Sequence, residues 1–160
     1  MEESLKRRQE KVRAFESRCR AEGLALTPQR RLVFEAVLDS RDHPDADAVF
    51  EAVRGRLPGI SRATVYRVLD ALACIGVIAK ALHAGATSRF DGNRAAHHHL
   101  VCVRCDRIID VYDKRLDALP RPDTRRLEFT ITDGQVQFRG ICAACRKREG
   151  GKSAGSAKKS

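Results

Sequence analysis

Apolar residues recur at helical spacing through the first 76 positions and then give way to short, strand-like runs. Leu5, Val12, Phe15 and Cys19, set among charged residues, predict an amphipathic helix over 4–22 with Gly23 as its stop. Thr27-Pro28 opens a second helix, Thr as N-cap and Pro at the first helical position, with Leu32, Val33, Ala36 and Val37 as its buried face and an end near Ser40. After the break at His43-Pro44, Val49, Phe50, Val53 and Leu57 mark a third helix, closed by Pro58-Gly59. Ser61 can cap a fourth, in which Val65, Val68, Leu69 and Leu72 point inward and Arg62, Thr64, Tyr66 and Arg67 lie mostly outside, before Gly76 ends it. Residues 77–82 and 87–91 then read as two strands around a turn at 83–86. Helices followed by a hairpin predict a winged helix-turn-helix, whose last helix is presented to a DNA major groove.

Beyond Asn93 the β-type runs are 100–103, 108–112, 127–132 and 136–141, and Asp133-Gly134 is a hairpin signal between the last two. A short helix fits 114–119, halted by Pro120 and Pro122. The expected fold class is therefore α+β: a winged-helix DNA-binding domain over 1–90, a hinge at 91–96, a small α/β domain over 97–148 and a basic tail over 149–160.

Charge changes this picture mainly at the end of the chain. Of a formal net charge of +10, half falls in residues 146–160, which hold six Lys/Arg against one Asp/Glu. With so little apolar content that stretch is expected to be disordered, either as a solubilising tail or as a nonspecific DNA-binding arm. No apolar run approaches the roughly 20 residues that span a bilayer, and the charged start is unlike a secretory signal, so the expected location is the cytoplasm, away from membranes. In that reducing compartment six cysteines, four of them in Cys-x-x-Cys pairs, point to metal rather than disulfide.

Cys102-x-x-Cys105 and Cys142-x-x-Cys145 have the spacing that wraps four thiolates round one tetrahedral ion, which favours structural Zn(II). A redox dithiol is the rival, but it accounts for one pair only and needs a thioredoxin-like context that is missing. In an extended chain His97 and His99 share a face while His98 points away, which makes either a metal half-site or a polar loop. Asp110, inside the apolar run 108–112, needs a cation to offset its burial. Cys19 and Cys74 read as small core residues, His83 as a turn residue and His43 as a loop histidine beside a proline.

Taken together, Leu26-Thr-Pro-Gln-Arg30, His43-Pro with Asp47 and Phe50 following, Ala63-Thr-Val-Tyr-Arg67, Ser88-Arg-Phe-Asp91, the stretch from His97 to Cys105 and the last Cys-x-x-Cys resemble the ferric uptake regulator family of bacterial metal-dependent repressors over residues 20–148. The resemblance implies a C-terminal dimerisation domain and a homodimer that grips double-stranded DNA at an AT-rich inverted repeat. It also implies a regulatory metal site of His43, Asp91, His97, His99 and Asp110, suited to Fe(II) or Mn(II), beside the structural Zn(II) on Cys102, Cys105, Cys142 and Cys145. Thr64 and Tyr66 match positions that face DNA in the family, and Arg62 and Arg67 are expected to supply phosphate or base-edge contacts beside them. Asp91, where iron sensors of the family usually carry Glu, resembles the peroxide-responsive branch, in which ligand histidines, here His43 and His97, are oxidised and repression ends. The alternative is an iron- or manganese-responsive repressor without peroxide chemistry, with zinc response ranked behind both.

Two departures from the family pattern qualify the resemblance. Ala96 precedes the histidine cluster and Gly134 stands where a third metal site would want a histidine, so that site is expected to be absent, and Pro120 and Pro122 interrupt the region where relatives form a helix of the dimer interface. An enzyme with a catalytic metal is a competing reading, but no nucleophile, phosphate loop or acid/base pair accompanies the ligands. A plain zinc-ribbon module would leave His43, Asp91 and the winged helix unexplained.

Overall fold

The computed structural model describes residues 2–40, 42–81, 87–93 and 95–153, and the chain divides into two compact units, Met1–Arg94 and Ala95–Ser160. The first unit carries helices α1 (Glu2–Ala21), α2 (Pro28–Asp39), α3 (Ala46–Arg54) and α4 (Arg62–Cys74), then strands β1 (Ala79–Ala81) and β2 (Arg89–Asp91). The helix starts follow local chemistry: the side chains of Thr27, Asp45 and Ser61 each accept the backbone N–H three residues on, which satisfies a donor the helix itself cannot. Gly23 and Gly76 follow α1 and α4 at φ +67° and +69°, a left-handed turn that costs glycine least.

These helices bury Val12, Phe15 and Cys19 of α1 against Val33, Phe34 and Val37 of α2, Val49 and Val53 of α3, and the expected stripe Val65, Val68, Leu69 and Leu72 of α4. Phe15 and Phe34 stack with ring centroids 4.5 Å apart. Leu5, expected on the buried face of α1, is exposed, and the buried stripe of that helix begins at Val12. The third helix also ends earlier than Pro58-Gly59: Gly55 is its C-cap, and Leu57 packs on the core from the turn that follows. β1 and β2 pair antiparallel, with Lys80 opposite Phe90, and the turn expected at 83–86, with His83, lies outside the described residues.

One buried polar group was not visible as such in the sequence. Glu35, on the inner side of α2, accepts hydrogen bonds from Arg31 Nε at 3.0 Å and Arg56 Nη2 at 3.2 Å, and Arg8 Nη2 lies 3.7 Å away. Burial alone raises this carboxyl's pKa, but the hydrogen bonds from Arg31 and Arg56 and the charges of Arg8 and Arg56 outweigh it and leave it below the ordinary value. Because the folded pKa is depressed, the stabilisation is present above the unfolded value of about 4.3 and is lost as pH falls through the folded one. Glu35→Gln should therefore cost about 1–2 kcal/mol in urea unfolding at pH 7, and the gap between variant and native protein should close in acid. A gap that persists in acid would assign the loss to packing instead.

The second unit is a three-stranded sheet in the order β4-β3-β5, formed by β3 (His98–Cys102), β4 (Ile108–Val111) and β5 (Gln137–Gly140). β3 pairs antiparallel with β4 and parallel with β5. The short helix α5 (Lys114–Asp117) is capped by Asp113 and stops before Pro120, and α6 (Ala143–Ser153) follows the second cysteine pair. Two expectations fail here. Residues 127–132 form no strand and Asp133-Gly134 closes no hairpin: a 3-10 turn (Arg125–Leu127) leads into Glu128 at φ +49°, which breaks an extended run, and β5 takes β3 as its partner. The basic stretch from 146 is helical as far as Ser153 rather than disordered, since Ala143, Ala144 and Arg146 to Glu149 are good helix formers continuing from Cys142. The remaining tail residues lie outside those described. Among the described residues no helix is long and apolar enough to cross a membrane.

Candidate metal centres

In the second unit the two Cys-x-x-Cys turns meet. The sulfurs of Cys102, Cys105, Cys142 and Cys145 all lie within 4.8 Å of one another, and all six cysteines are free thiols. The first turn leaves β3 and doubles back sharply, Asp106 N–H bonding to Cys102 O at 2.9 Å with Asp106 itself at φ +57°, a conformation Asp tolerates better than most residues. The second turn opens α6, where Arg146 N–H reaches Cys142 O at 2.9 Å. The parallel β3–β5 ladder, ending at Cys102 opposite Gly140, brings these segments together across some forty positions of sequence.

Charge is unevenly shared among the four sulfurs. The backbone N–H of Cys142, 3.3 Å from Cys102 Sγ, and that of Arg104 lower the Cys102 thiol to about 6. Burial, with hydrogen bonds from the neighbouring sulfurs, pushes Cys145 up to about 12, although Arg148 Nη2 lies 3.2 Å from its sulfur. The backbone N–H of Cys145 lowers Cys142 as well, so thiolate forms readily at two of the sulfurs while Cys145 resists it. A tetrahedral divalent ion removes that conflict by stabilising every thiolate at once, and the donor set fits structural Zn(II).

The imidazoles lie at the start of β3, His98 and His99 on the strand and His97 immediately before it. Nδ1 of His97 faces Ala95 O at 2.7 Å, which favours the tautomer with its proton there and leaves Nε2 as a lone pair. That Nε2 stands 2.9 Å from Nε2 of His99, and Asp110 Oδ1 is 3.6 Å from both. Asp110 is there because β4 places it directly opposite His99. Two nitrogens and a carboxylate oxygen converging in a buried corner form a donor set suited to Fe(II) or Mn(II), harder than the thiolate cluster. His98 faces the other way: its Nδ1 accepts Val136 N–H at 3.1 Å and its Nε2 meets Asp117 at 3.1 Å, so both ring nitrogens are already engaged. Sequence reasoning passed over Asp117, and also Gln135, whose side chain donates to His97 O at 3.2 Å.

In the first unit His43 Nε2 lies 3.4 Å from Asp91 Oδ2, and both residues are buried. Nothing in their spacing announces this pair. It is produced by β2 stitching onto the loop before α3: Phe90 N–H bonds to Pro44 O at 2.9 Å, Asp45 bridges to Arg89, and Arg89 Nη1 donates to His43 O at 3.2 Å. Asn93 N–H fixes the other Asp91 oxygen at 2.6 Å, and Gly92 passes so close to α2 that a Cβ would sit 3.3 Å from Leu38 Cα. Arg89 was the residue the sequence did not single out, and the motif Ser88-Arg-Phe-Asp91 was its available signal.

On α4, Tyr66 and Arg67 are exposed, whereas the Thr64 hydroxyl is hydrogen-bonded to Ser61 Oγ at 2.9 Å. Arg62 at the helix start is ion-paired with Asp47 and lies over the Phe50 ring.

Residues 21–139 match the model of the ferric uptake regulator family. The chain is 32% identical over 131 residues to the peroxide-responsive repressor PerR of Staphylococcus epidermidis, covering 82% of this chain and 87% of that protein. Among solved structures it is similar to a zinc-bound manganese uptake regulator, with a TM-score of 0.63 and 26% identity over 80% of this chain and 98% of that one. The Helicobacter pylori ferric uptake regulator, at 19% identity, shares the fold with a TM-score of 0.69 over 86% of this chain and 93% of that one.

Proposed function

The chain belongs to the ferric uptake regulator family of metal-responsive repressors, and from that premise we propose that it is a cytoplasmic peroxide sensor that represses transcription when its regulatory site holds Fe(II) or Mn(II). The observation that carries the reading is the separation of donors by chemistry: four thiols in one cluster, and imidazoles with carboxylates apart from them. A structural ion needs no release, whereas harder N/O donors suit an exchangeable one. Asp91, in place of the Glu usual in iron sensors, and the 32% identity to a peroxide-responsive repressor support the peroxide branch.

In this reading His43 and Asp91 of the first unit close with His97, His99 and Asp110 of the second on one ion. Closure fixes the two α4 helices of a homodimer at the spacing of the half-sites of an AT-rich inverted repeat, with Arg62, Thr64, Tyr66 and Arg67 toward the DNA. When bound, Fe(II) supplies the reduction of hydrogen peroxide that turns oxidation onto a ligand imidazole. His43 and His97 are the residues that record it: an oxidised imidazole loses its donor lone pair, the units part, and DNA is released.

The test loads the protein with Fe(II) or Mn(II), adds hydrogen peroxide and follows intact mass and DNA binding together. Addition of one oxygen atom to His43 or His97, with DNA release, is expected for the iron form alone. Unmodified histidines with DNA retained would remove peroxide sensing and leave an iron- or manganese-responsive repressor, the second reading, which the 26% identity to a manganese uptake regulator favours.

A further inference from the structure

The recognition helix begins with an arginine that is already occupied. Arg62, the first residue of α4, pairs through Nη1 with Asp47 and through Nη2 with Glu51 Oε1 at 3.5 Å, both acids belonging to α3. Its guanidinium carbon sits 4.6 Å from the centroid of the Phe50 ring, so one face of the planar group is covered while its edges meet two carboxylates. Glu51 is also paired along α3 with Arg54 Nε at 2.8 Å. The pair is open to solvent all the same: the Arg62, Asp47 and Glu51 side chains are 54%, 59% and 46% exposed.

Resting on the DNA-binding reading above, we infer that Asp47 and Glu51 are internal competitors of DNA phosphate for Arg62, and so weaken the grip of α4 on any duplex. Exposed ion pairs are individually weak, and a DNA phosphate offers the same bidentate acceptor geometry as a carboxylate, so exchange between them is easy. Phe50 keeps the guanidinium oriented throughout. Each exchange nevertheless gives up contacts already made, and it leaves two carboxylates uncovered beside a polyanion. The net gain from Arg62 is therefore smaller than that of an arginine with no acid beside it. Sequence-independent binding rests almost wholly on such contacts, so the clamp holds it down most.

The experiment compares the native manganese-loaded protein with Asp47→Asn/Glu51→Gln, titrated on a random-sequence duplex over a range of salt concentrations, each also in an Arg62→Ala background. Both acids lie on the surface, so these substitutions leave the core of the first unit untouched. With Arg62 present the double variant should bind about threefold to tenfold more tightly, and its log–log salt slope should steepen by up to about one, as Arg62 passes more fully from carboxylate to phosphate. Without Arg62 the same two substitutions should still raise affinity by relieving repulsion between the acids and DNA, but by a clearly smaller factor, because no ion-pair exchange remains to be relieved. An equal gain in the Arg62→Ala background would overturn the clamp in favour of plain repulsion between the acids and DNA. Unchanged affinity and slope in the presence of Arg62 would overturn it outright. Native protein that binds no duplex would instead overturn the DNA-binding reading, and the clamp with it.

Discussion

Cys142→Ser will strip the second unit of its structural metal and of its cooperative unfolding. Among the described residues that unit buries only Val101, Cys102, Ile108 and Cys145 as apolar groups, and two of these four belong to the thiol cluster. So small a core cannot hold three strands and two helices against the entropy of ordering them. A structural Zn(II) site contributes about 10–16 kcal/mol of apparent binding free energy in small domains, which makes the metal the largest single term here. Removing one thiolate leaves three ligands and should reduce zinc affinity by orders of magnitude. Cys142 is also the residue whose N–H lowers the Cys102 thiol, and its carbonyl accepts from Arg146 at the start of α6, so a disturbed turn loosens the helix as well. Metal analysis after chelator competition should find zinc lost from the variant, and thermal unfolding should lose its second transition while the helices of residues 2–74 still melt cooperatively. A variant that keeps one zinc per chain and native unfolding would show that the four cysteines do not form the stabilising site.

The contrast between the two units also explains what could be read from the sequence. In the first, the starts of α2, α3 and α4 are decided within four residues: Thr27, Asp45 and Ser61 bond to N–H groups three positions on, and the stripe from Val65 to Leu72 repeats at helical spacing. Local chemistry of that kind is legible. The end of α3 was not, because Gly55 stops the helix while Leu57 keeps the apolar period going into the turn. In the second unit the deciding contacts are distant in sequence. β5 pairs in parallel with β3, some forty positions away, so a hairpin at Asp133-Gly134 was the natural local expectation and the wrong one.

The candidate sites divide along the same line. Strand alternation sorted His97 and His99 from His98, and the spacing of each cysteine pair declared a metal knuckle. By contrast, His43 and Asp91 are 48 positions apart, and their 3.4 Å approach depends on Arg89 and Phe90 bonding to the loop before α3. Residue spacing could not supply that, and family resemblance alone pointed to the pair. Of the partners of Glu35, Arg31 stands at i−4 on the same helix, but Arg8 and Arg56 were equally hidden, since they reach it only when α1, α2 and the turn after α3 pack.

The sharpest division within the histidine triplet is between neighbours. His99→Ala should reduce manganese-activated DNA binding by at least about a hundredfold, to the level of metal-free native protein, whereas His98→Gln should leave the metal response unchanged. Nε2 of His99 lies 2.9 Å from Nε2 of His97 and 3.6 Å from Asp110, so its loss removes a donor from the centre of that corner. Moving a two-state equilibrium from mostly open to mostly closed takes about 5.5 kcal/mol of differential binding, and a hundredfold loss corresponds to about 2.7 kcal/mol, a plausible share for one buried ligand. His98 is nearly as buried but is engaged by Val136 N–H and Asp117, so Gln keeps one of its hydrogen bonds and the cost falls on stability. Titration of a duplex selected by the native manganese-loaded protein, with and without manganese, reads both variants, and zinc content with dimer mass confirms that each is folded. Full manganese activation in His99→Ala, or its loss in His98→Gln with zinc retained, would move the regulatory site off the face that His97, His99 and Asp110 share. The expected pattern ties the metal response to the side of β3 that His99 shares with Asp110 and not to the side His98 occupies, because strand alternation turns neighbouring side chains to opposite faces.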